Sequence, residues 1–393
     1  MAAVSDRPFQ PSPVLGRPGA VASPAELPDH GTAWHYGDPF GEQRAAAMSV
    51  AVVDRSTRAV IAVTGEERLT WLHTISSQHI ASLPDGRSAE NLSLDVNGRV
   101  EDHLVLTDLD GTTWIDTEAS RGPALLSFLT KMVFWSKAEP RDGGELAVLS
   151  LIGPQAPSVL RAVGAPVPEM PYDAAALPGD TAAALPGDTA APLPGGPGFV
   201  RRMPWPSRTD SFDVLVPRDR LEEWWATFVV AGAREAGSWA YEALRVETVR
   251  PRLGLDTDER TIPHEVGWIG GVTEFGAVHL DKGCYRGQET VARVHNLGKP
   301  PRRLVLLHLD GSADGRPETG DDVTAEGRTV GRVGTVVDHF ELGPIALALI
   351  KRAVPVDTAL TAGPCAASID PDSYTPDTAI QAGRAAVDRL RGR

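Results

Sequence analysis

Residues 90–118, ENLSLDVNGRVEDHLVLTDLDGTTWIDTE, constrain the fold of this chain most strongly. The pairs Asn97-Gly98 and Asp110-Gly111 are strong hairpin signals, because the favoured two-residue turns need residues that tolerate a positive φ. Each pair lies between runs of strand-forming residues, so the segment predicts a meander of three strands. A helical pattern follows in GPALLSFLTKMVFW. Strands that run together, with helices outside the run, indicate an α+β fold and not a doubly wound parallel sheet.

Shifts in composition divide the rest of the chain. A tandem repeat at Ala176–Gly196 is too rich in Ala, Pro and Gly to build a core, which predicts a linker or insertion. After Lys299, short apolar runs alternate with Gly, Asp and Pro turns, which predicts a small β-barrel. The predicted segments are a disordered leader at 1–30, an α+β lobe at 31–170, the repeat segment at 171–199, a second α+β lobe at 200–298, the C-terminal β-barrel at 299–372, and a tail with a short helix at 373–393.

The charge balance and the cysteine count limit the function classes. A net charge of −14 disfavours direct binding of nucleic acid, which needs a basic face. No apolar run approaches the ~18–20 residues of a membrane span, and the N-terminus lacks the apolar core of a signal peptide. Two cysteines give neither a disulfide framework nor a C-x-x-C metal site. We therefore expect a cytoplasmic monomer with no membrane partner, no nucleic-acid partner and no resident metal.

Common catalytic motifs do not occur in the sequence. It contains no P-loop, no dinucleotide-binding glycine fingerprint, no G-x-S-x-G elbow and no H-E-x-x-H. Nucleotide hydrolases, hydride-transfer enzymes and zinc hydrolases are therefore disfavoured.

Two carboxylates fall on apolar faces and are candidate ligand-binding residues. Asp102 alternates with Val100 and Leu104 along a predicted strand, where a buried acid is costly unless it has a partner. Glu247 lies at the edge of the apolar face of a predicted helix, and its carboxylate can accept two parallel donors from a heterocycle. Simpler roles stay open for both, namely a strand-end acid for Asp102 and an intrahelical pair with Arg245 or Arg250 for Glu247.

A basic island between Lys282 and Arg303 contains Cys284, six Lys or Arg residues and a single acid. Gly283 and Gly287 flank Cys284-Tyr285-Arg286, so a tight loop is expected. A thiol near Lys282 and Arg286 is a candidate reactive thiol, since nearby cations favour the thiolate. The alternative interpretation of Cys284 is a small buried apolar residue, and that of the basic run is a solvated connector between a strand and the barrel. Four of the ten histidines lie in or near this region: His264, His279, His295 and His308.

The island contains a long and specific motif. K-G-C-Y-x-G-Q-E resembles the signature of the YgfZ family, which are folate-binding relatives of the glycine-cleavage T protein (aminomethyltransferase). Its residues here are Lys282, Gly283, Cys284, Tyr285, Gly287, Gln288 and Glu289. Three further stretches are similar to T-protein segments: HYGDPFGEQ, NGRVEDHLVL and ALRVETVRPRLGLDTDERTIPHEVG. The resemblance covers roughly residues 35–370, leaving out the leader, the repeat insertion and the tail.

The resemblance implies a fold and a function. The implied fold is α+β, with two α+β lobes plus a small C-terminal β-barrel arranged around a central folate-sized opening, the lobe at 31–170 being folate-binding. The implied function is binding of tetrahydrofolate or a derivative in support of iron–sulfur cluster assembly or repair, with an indirect influence on tRNA modification. The implied partners are reduced folate and iron–sulfur cluster proteins.

The resemblance also assigns roles residue by residue. Glu247 matches the glutamate that holds the pterin ring, and Arg245 belongs to the same R-x-E segment. Asp102 matches one member of an acidic pair that faces the folate nitrogens in aminomethyltransferases, while His103 replaces the other member. This departure favours an accessory protein over the first alternative, a folate-dependent one-carbon transferase in which Asp102 is catalytic. The second alternative is a scaffold that has lost the ligand. Whether the chain catalyses a reaction is left open.

Overall fold

The structure is a computed structural model that describes residues 10–178, 197–206 and 209–373. The chain forms two compact units. The first unit takes in the chain up to His73, Ile80–Ala89 and Leu104–Thr248. The second unit takes in Thr74–His79, Glu90–His103 and the chain from Val249 onward. Among the described residues, no helix is long and apolar enough to cross a membrane.

The strands, in chain order, are β1 Val21–Ala22, β2 Ala33–His35, β3 Ala51–Asp54, β4 Ala59–Thr64, β5 Arg87–Leu94, β6 Val100–Leu109, β7 Thr112–Thr117, β8 Glu139–Asp142, β9 Leu146–Ile152, β10 Ala174–Ala176, β11 Phe199–Met203, β12 Ser211–Pro217, β13 Arg234–Ala236, β14 Arg302–Leu309, β15 Asp322–Ala325, β16 Arg328–His339, β17 Gly343–Lys351, β18 Leu360–Ala362 and β19 Cys365–Ile369. The helices are α1 Pro39–Met48, α2 Arg68–Ile75, α3 Gly122–Met132, α4 Ala156–Ala162, α5 Leu221–Val230, α6 Ser238–Glu247 and α7 Gln288–Leu297.

The first unit contains a six-stranded sheet in the order β10-β11-β12-β9-β3-β13. Its central strands β3, β9 and β12 are buried along their whole length. Successive side chains point to opposite faces, and an apolar cluster covers each face. Val50 and Val52 pack into one apolar cluster with Trp224 of α5. Ala51 and Val53 pack into another with residues of α6. This second cluster fixes α6, the helix that carries Arg245 and Glu247.

The predicted meander is confirmed. β5, β6 and β7 are consecutive in a five-stranded sheet of order β5-β6-β7-β4-β8. Leu109 pairs with Thr112, and the two residues between them, Asp110 and Gly111, have φ of 50° and 77°, as the two-residue hairpin turn requires. The turn between β5 and β6 is closed by Asp95, whose carboxylate accepts the N–H groups of Asn97 at 2.7 Å and Arg99 at 2.8 Å.

The predicted C-terminal barrel is also confirmed. In the second unit, β14 to β19 form a closed barrel in the order β14-β17-β16-β15-β18-β19. Val305, Leu307, Val333 and Ile350 are among the apolar side chains that fill it. Buried and exposed residues alternate along β19, so one face of the strand points into the barrel and the other points to solvent.

Two of the predicted boundaries are wrong. Residues 10–30 are ordered, although 1–30 was predicted as a disordered leader: Pro13–Gly16 form a 3₁₀ helix, β1 pairs with β2, and Val14 is fully buried in the core of the first unit. The buried side chain of Val14 and the pairing of β1 with β2 therefore outweigh the Pro- and Gly-rich composition. The six-stranded sheet also draws strands from both sides of the boundary predicted at 171–199, because its pairing is not local in sequence. Residues 179–196 of the predicted insertion and 374–393 of the predicted tail lie outside the described residues.

Candidate functional site

The signature loop lies against the turn between β5 and β6. A Cβ on Gly287 would lie 2.6 Å from the carbonyl oxygen of Asp95 and 2.8 Å from the Cα of Gly98. A Cβ on Gly98 would in turn lie 2.9 Å from the Cβ of Thr290. Both glycines also have a positive φ. The two motifs, far apart in sequence, therefore meet through contacts that leave no room for a side chain on either glycine.

Lys282 ties the signature loop to residues 76–78. Its side chain is buried, and its ammonium group donates to the carbonyl oxygens of Ser76 and Gln78, the latter at 3.3 Å. The ammonium nitrogen also lies 5.1 Å from the ring centroid of Tyr285. Burial lowers the pKa of Lys282 to about 8. Lys282 thus points into the protein and acts as a tether.

Cys284 is exposed at the tip of this loop. Arg286, the second predicted cationic neighbour, pairs with Glu101 at 2.9 Å. Cys365, by contrast, is buried in the barrel, where its thiol donates to the carbonyl of Gly315 at 3.1 Å. The interpretation of Cys284 as a small buried residue is therefore wrong, while its reactivity stays a prediction.

The remaining residues of the motif hold the loop together. The side-chain amide of Gln288 donates to the carbonyl of Lys282 at 3.2 Å. Tyr285 is buried, and burial raises the pKa of its hydroxyl to about 12. Glu289 lies in the first turn of α7, where a negative charge is favourable to the helix dipole.

We predict that replacing Lys282 with alanine lowers the free energy of unfolding by about 1.5–3 kcal/mol, the range for hydrogen bonds to a charged group. The matched control is Lys351→Ala, since the ammonium group of Lys351 also donates to a backbone carbonyl, that of Thr329 at 2.8 Å, but is exposed. Urea unfolding of both variants measures the difference. Equal losses in the two variants would show that Lys282 is not a tether.

The second unit also contains a buried ionic cluster. Glu90 is fully buried, and one of its carboxylate oxygens is contacted by Nε2 of His103 at 2.7 Å and by the guanidinium of Arg250. The ring of His103 stacks on that of Trp268, with centroids 4.9 Å apart and planes 10° apart. Sequence reasoning missed Glu90, Arg250 and Trp268. The one available signal was the acid Glu90 within the strand-like run RSAENLSL of β5.

Asp102 is buried on β6, as the strand alternation predicts. It is 3% exposed, with Val100 and Leu104 buried on the same face and Glu101 and His103 partly exposed. A carboxylate at this depth is costly to bury without partners. Its role as a folate ligand stays a prediction.

Arg245 and Glu247 lie on α6 in the first unit. Arg245 is buried, and its guanidinium pairs with the carboxylate of Glu242, with Nε 3.2 Å from Oε1. Glu247 is the last residue of the helix and is half-buried. The hydroxyl of Thr248, the next residue, donates to the carbonyl of Pro206 at 2.7 Å and fixes this helix end. The structure thus places Arg245 and Glu247 in one unit and Asp102 and the signature loop in the other.

Two protein-family models match the sequence of this chain. The model of the GCVT N-terminal domain matches residues 33–273, more than half of the chain, and the protein belongs to that family. The model of the CAF17 C-terminal beta-barrel domain matches residues 302–377. The chain therefore combines an aminomethyltransferase-like α+β fold with a CAF17-type barrel.

Individual relatives support the same placement. The chain is 25% identical over 325 residues to a putative chloroplastic transferase of Arabidopsis thaliana, covering 80% of this chain and 68% of the relative. It is 27% identical over 328 residues to an aminomethyltransferase of Streptomyces avermitilis, covering 81% and 82%. The crystal structure of the glycine cleavage system aminomethyltransferase T from Bartonella henselae superposes with a TM-score of 0.74 at 20% identity, covering 92% of this chain and 96% of that one.

Proposed function

We propose that the protein binds tetrahydrofolate or a derivative and supports iron–sulfur cluster assembly or repair, as a member of the YgfZ branch of its family. The observation that carries this proposal is the signature loop, in which Cys284 is exposed to solvent. Lys282 anchors the loop to residues 76–78, and Gly287 anchors it to the turn between β5 and β6. A loop held this firmly with an exposed thiol at its tip suits contact with another molecule.

The folate part of the proposal rests on the aminomethyltransferase-like fold and on Glu247. A carboxylate at a fixed helix end, half-buried, can accept two parallel N–H donors from the amidine-like edge of a pterin. The resemblance to the T protein assigns this contact to Glu247. Arg245, two residues earlier on the same helix, and Asp102 are the further proposed ligands.

The iron–sulfur part rests on the thiol. A single cysteine cannot hold a permanent cluster, because clusters usually need four thiolates. Among the described residues, no group of three or more His, Cys, Asp or Glu residues could hold a metal ion. The cluster would therefore belong to a client protein, with Cys284 making a transient contact.

The alternative function is a folate-dependent aminomethyltransferase-like transfer of a one-carbon unit. The fold and the aminomethyltransferases among the relatives favour it. His103 weakens it, because the imidazole stands where the resemblance places a second acid and is bound to the buried Glu90.

A pair of substitutions separates the two functions. In a strain that lacks the native gene, Cys284→Ser is expected to lower the activity of iron–sulfur enzymes while folate affinity is retained, and Cys365→Ser is the matched control. Asp102→Asn is expected to abolish turnover only if the protein is a transferase. Full restoration of iron–sulfur enzyme activity by Cys284→Ser would exclude the thiol from the function.

A further inference from the structure

The aromatic pair Phe134-Trp135, in the first unit, has no role in the proposed function. Trp135 is 96% exposed and Phe134 is 73% exposed. The other eight tryptophans of the chain are buried or half-buried. Single exposed apolar side chains are normal on a protein surface. Two adjacent aromatic side chains that project this far expose roughly 400 Å² of apolar surface, and patches of that size often mark an interaction site.

The backbone that carries the aromatic pair is held in place. Just before the pair, the carbonyl of Met132 accepts the indole N–H of Trp71 at 2.8 Å. Just after it, the N–H of Lys137 donates to the carboxylate of Glu67 at 2.7 Å. Phe134 itself has a φ of 47°, which is unfavourable for a bulky residue. Strained conformations of this kind concentrate at binding sites, and a rigid anchor loses little freedom when it binds.

The first unit also contains a cavity of about 1000 Å³. This volume lies at the upper end of the range for small-molecule sites, so the cavity has room for two aromatic side chains. Its walls come from the chain around residue 12, the turn between β3 and β4, the first half of α3 and the start of α5. The apolar residues of the lining include Val60, Ile61, Leu126, Leu221, Pro11, Pro13, Pro28 and Pro123.

Helix α3 separates the aromatic pair from the cavity of the same chain. Gly122 and Leu126 of this helix line the cavity, whereas Phe134 and Trp135 follow its end at Met132. The helix has 11 residues and is therefore about 16 Å long. Two copies of the chain with antiparallel α3 helices would bring the aromatic pair of each copy to the cavity of the other.

The charges around the aromatic pair and the cavity are complementary. Lys131 and Lys137 flank the pair, and both are exposed. Lys137 pairs with Glu66 at 3.0 Å, but the two side chains are 71% and 82% exposed, so this ion pair is weak and can exchange partners. Three acids lie in the lining of the cavity: Asp142, Glu145 and Asp219.

Two arginines in the lining also suit an aromatic guest. Arg58 is paired with Asp116 at 2.6 Å and Glu118 at 2.8 Å, which offset its charge. The guanidinium of Arg218 donates to the carbonyl of Gly144 at 2.8 Å. A guanidinium group against the face of a tryptophan ring is favourable.

A membrane is a weaker match for the aromatic pair. Even a single myristoyl chain holds a protein only marginally on a bilayer, and firm binding takes a second signal such as a polybasic patch. The chain carries a net charge of −14, which anionic lipids repel. A second copy of the chain, by contrast, supplies both a cavity of sufficient size and acidic groups for the flanking lysines.

We propose that two copies of this chain associate about a two-fold axis, with Phe134 and Trp135 of each copy seated in the cavity of the other. One such contact would bury about 800 Å², which is typical of crystal packing, whereas two reciprocal contacts would bury roughly 1600 Å², the standard size of a specific interface. The net charge of −14 on each copy opposes association at long range, so the dimer forms at high concentration. The proposal does not depend on folate binding or on Cys284.

Sedimentation velocity of the full chain from about 5 to 500 µM tests the proposal, in a Cys284→Ser background that prevents disulfide formation between copies. The dimer fraction is expected to rise with concentration. Trp135→Ser should weaken the dimer by about a hundredfold or more, because a central tryptophan is lost at two equivalent contacts. Val230→Ser is the matched control, since it removes another apolar side chain that is 82% exposed in the same unit, and should leave the dimer unchanged.

Photo-cross-linking locates the contact. Benzoylphenylalanine takes the place of Trp135, and ¹⁵N-labelled and unlabelled chains are mixed, so mass spectrometry separates cross-links between copies from those within one copy. Cross-links between copies are expected in the cavity segments 56–61, 122–126 and 218–221. A monomer up to about 500 µM, a dimer unchanged in Trp135→Ser, or cross-links between copies only outside these segments would overturn the proposal. The monomer result would assign the aromatic pair to a different protein.

Discussion

Replacing Arg201 with alanine is expected to lower the free energy of unfolding by about 3–5 kcal/mol, the cost of breaking a buried ion pair by removing one partner. Arg201 is 1% exposed and contacts Asp116 at 2.7 Å and Asp213 at 2.8 Å. Burial by itself raises the pKa of Asp116, but the charges of Arg201 and Arg58 outweigh it and hold the pKa below its usual range. Without Arg201, the buried carboxylates of Asp116 and Asp213 would each lose one of the positive charges that offset the cost of burying them.

Urea unfolding measures this loss. The matched control is Arg220→Ala, whose side chain pairs with Glu223 at 3.1 Å on the surface of the first unit and should change stability by less than about 1 kcal/mol. A loss below about 1 kcal/mol in Arg201→Ala as well would show that the remaining arginines, Arg55 and Arg58, compensate the network without it.

Replacing Glu247 with alanine is expected to weaken folate binding by about 1.5–3 kcal/mol, since hydrogen bonds to a charged group are lost. This corresponds to a roughly ten- to hundred-fold rise in Kd. Isothermal titration with tetrahydrofolate gives the affinity, and Glu223→Ala on the exposed face of α5 is the matched control. Thermal unfolding should be nearly unchanged in Glu247→Ala, because the carboxylate is at a helix end and only half-buried. An unaltered Kd would remove Glu247 from the site.

The local features of the fold could be predicted from the sequence. The turn at Asp110-Gly111 needs two residues with positive φ, and Asp and Gly are residue types that tolerate it. The alternation along β6 correctly predicts that Asp102 is buried. The barrel followed from short apolar runs between turn residues. These signals act over a few neighbouring residues, so no knowledge of distant contacts is needed to recognise them.

The features that sequence reasoning missed depend on contacts between distant residues. The burial of Val14 is decided by a core that forms far along the chain, and composition alone pointed to disorder. The same holds for the six-stranded sheet, which joins β3 to β13 and β9 to β12. Tertiary packing overrode the local signal in both places.

The candidate site shows the same limit. The motif predicted a tight loop at Cys284, and the structure has one. It did not reveal that Gly287 meets Gly98, or that Lys282 turns inward to the carbonyls of Ser76 and Gln78. A cation close in sequence to a thiol is therefore not necessarily a cation close to it in space.

The proposed function requires that this protein binds reduced folate. Isothermal titration of the purified full chain with tetrahydrofolate under anaerobic conditions tests it most directly. We expect saturable binding of one equivalent, weakened in Glu247→Ala and retained in Cys284→Ser. Absence of binding at millimolar tetrahydrofolate, with the chain shown to be folded by its cooperative unfolding in urea, would contradict it.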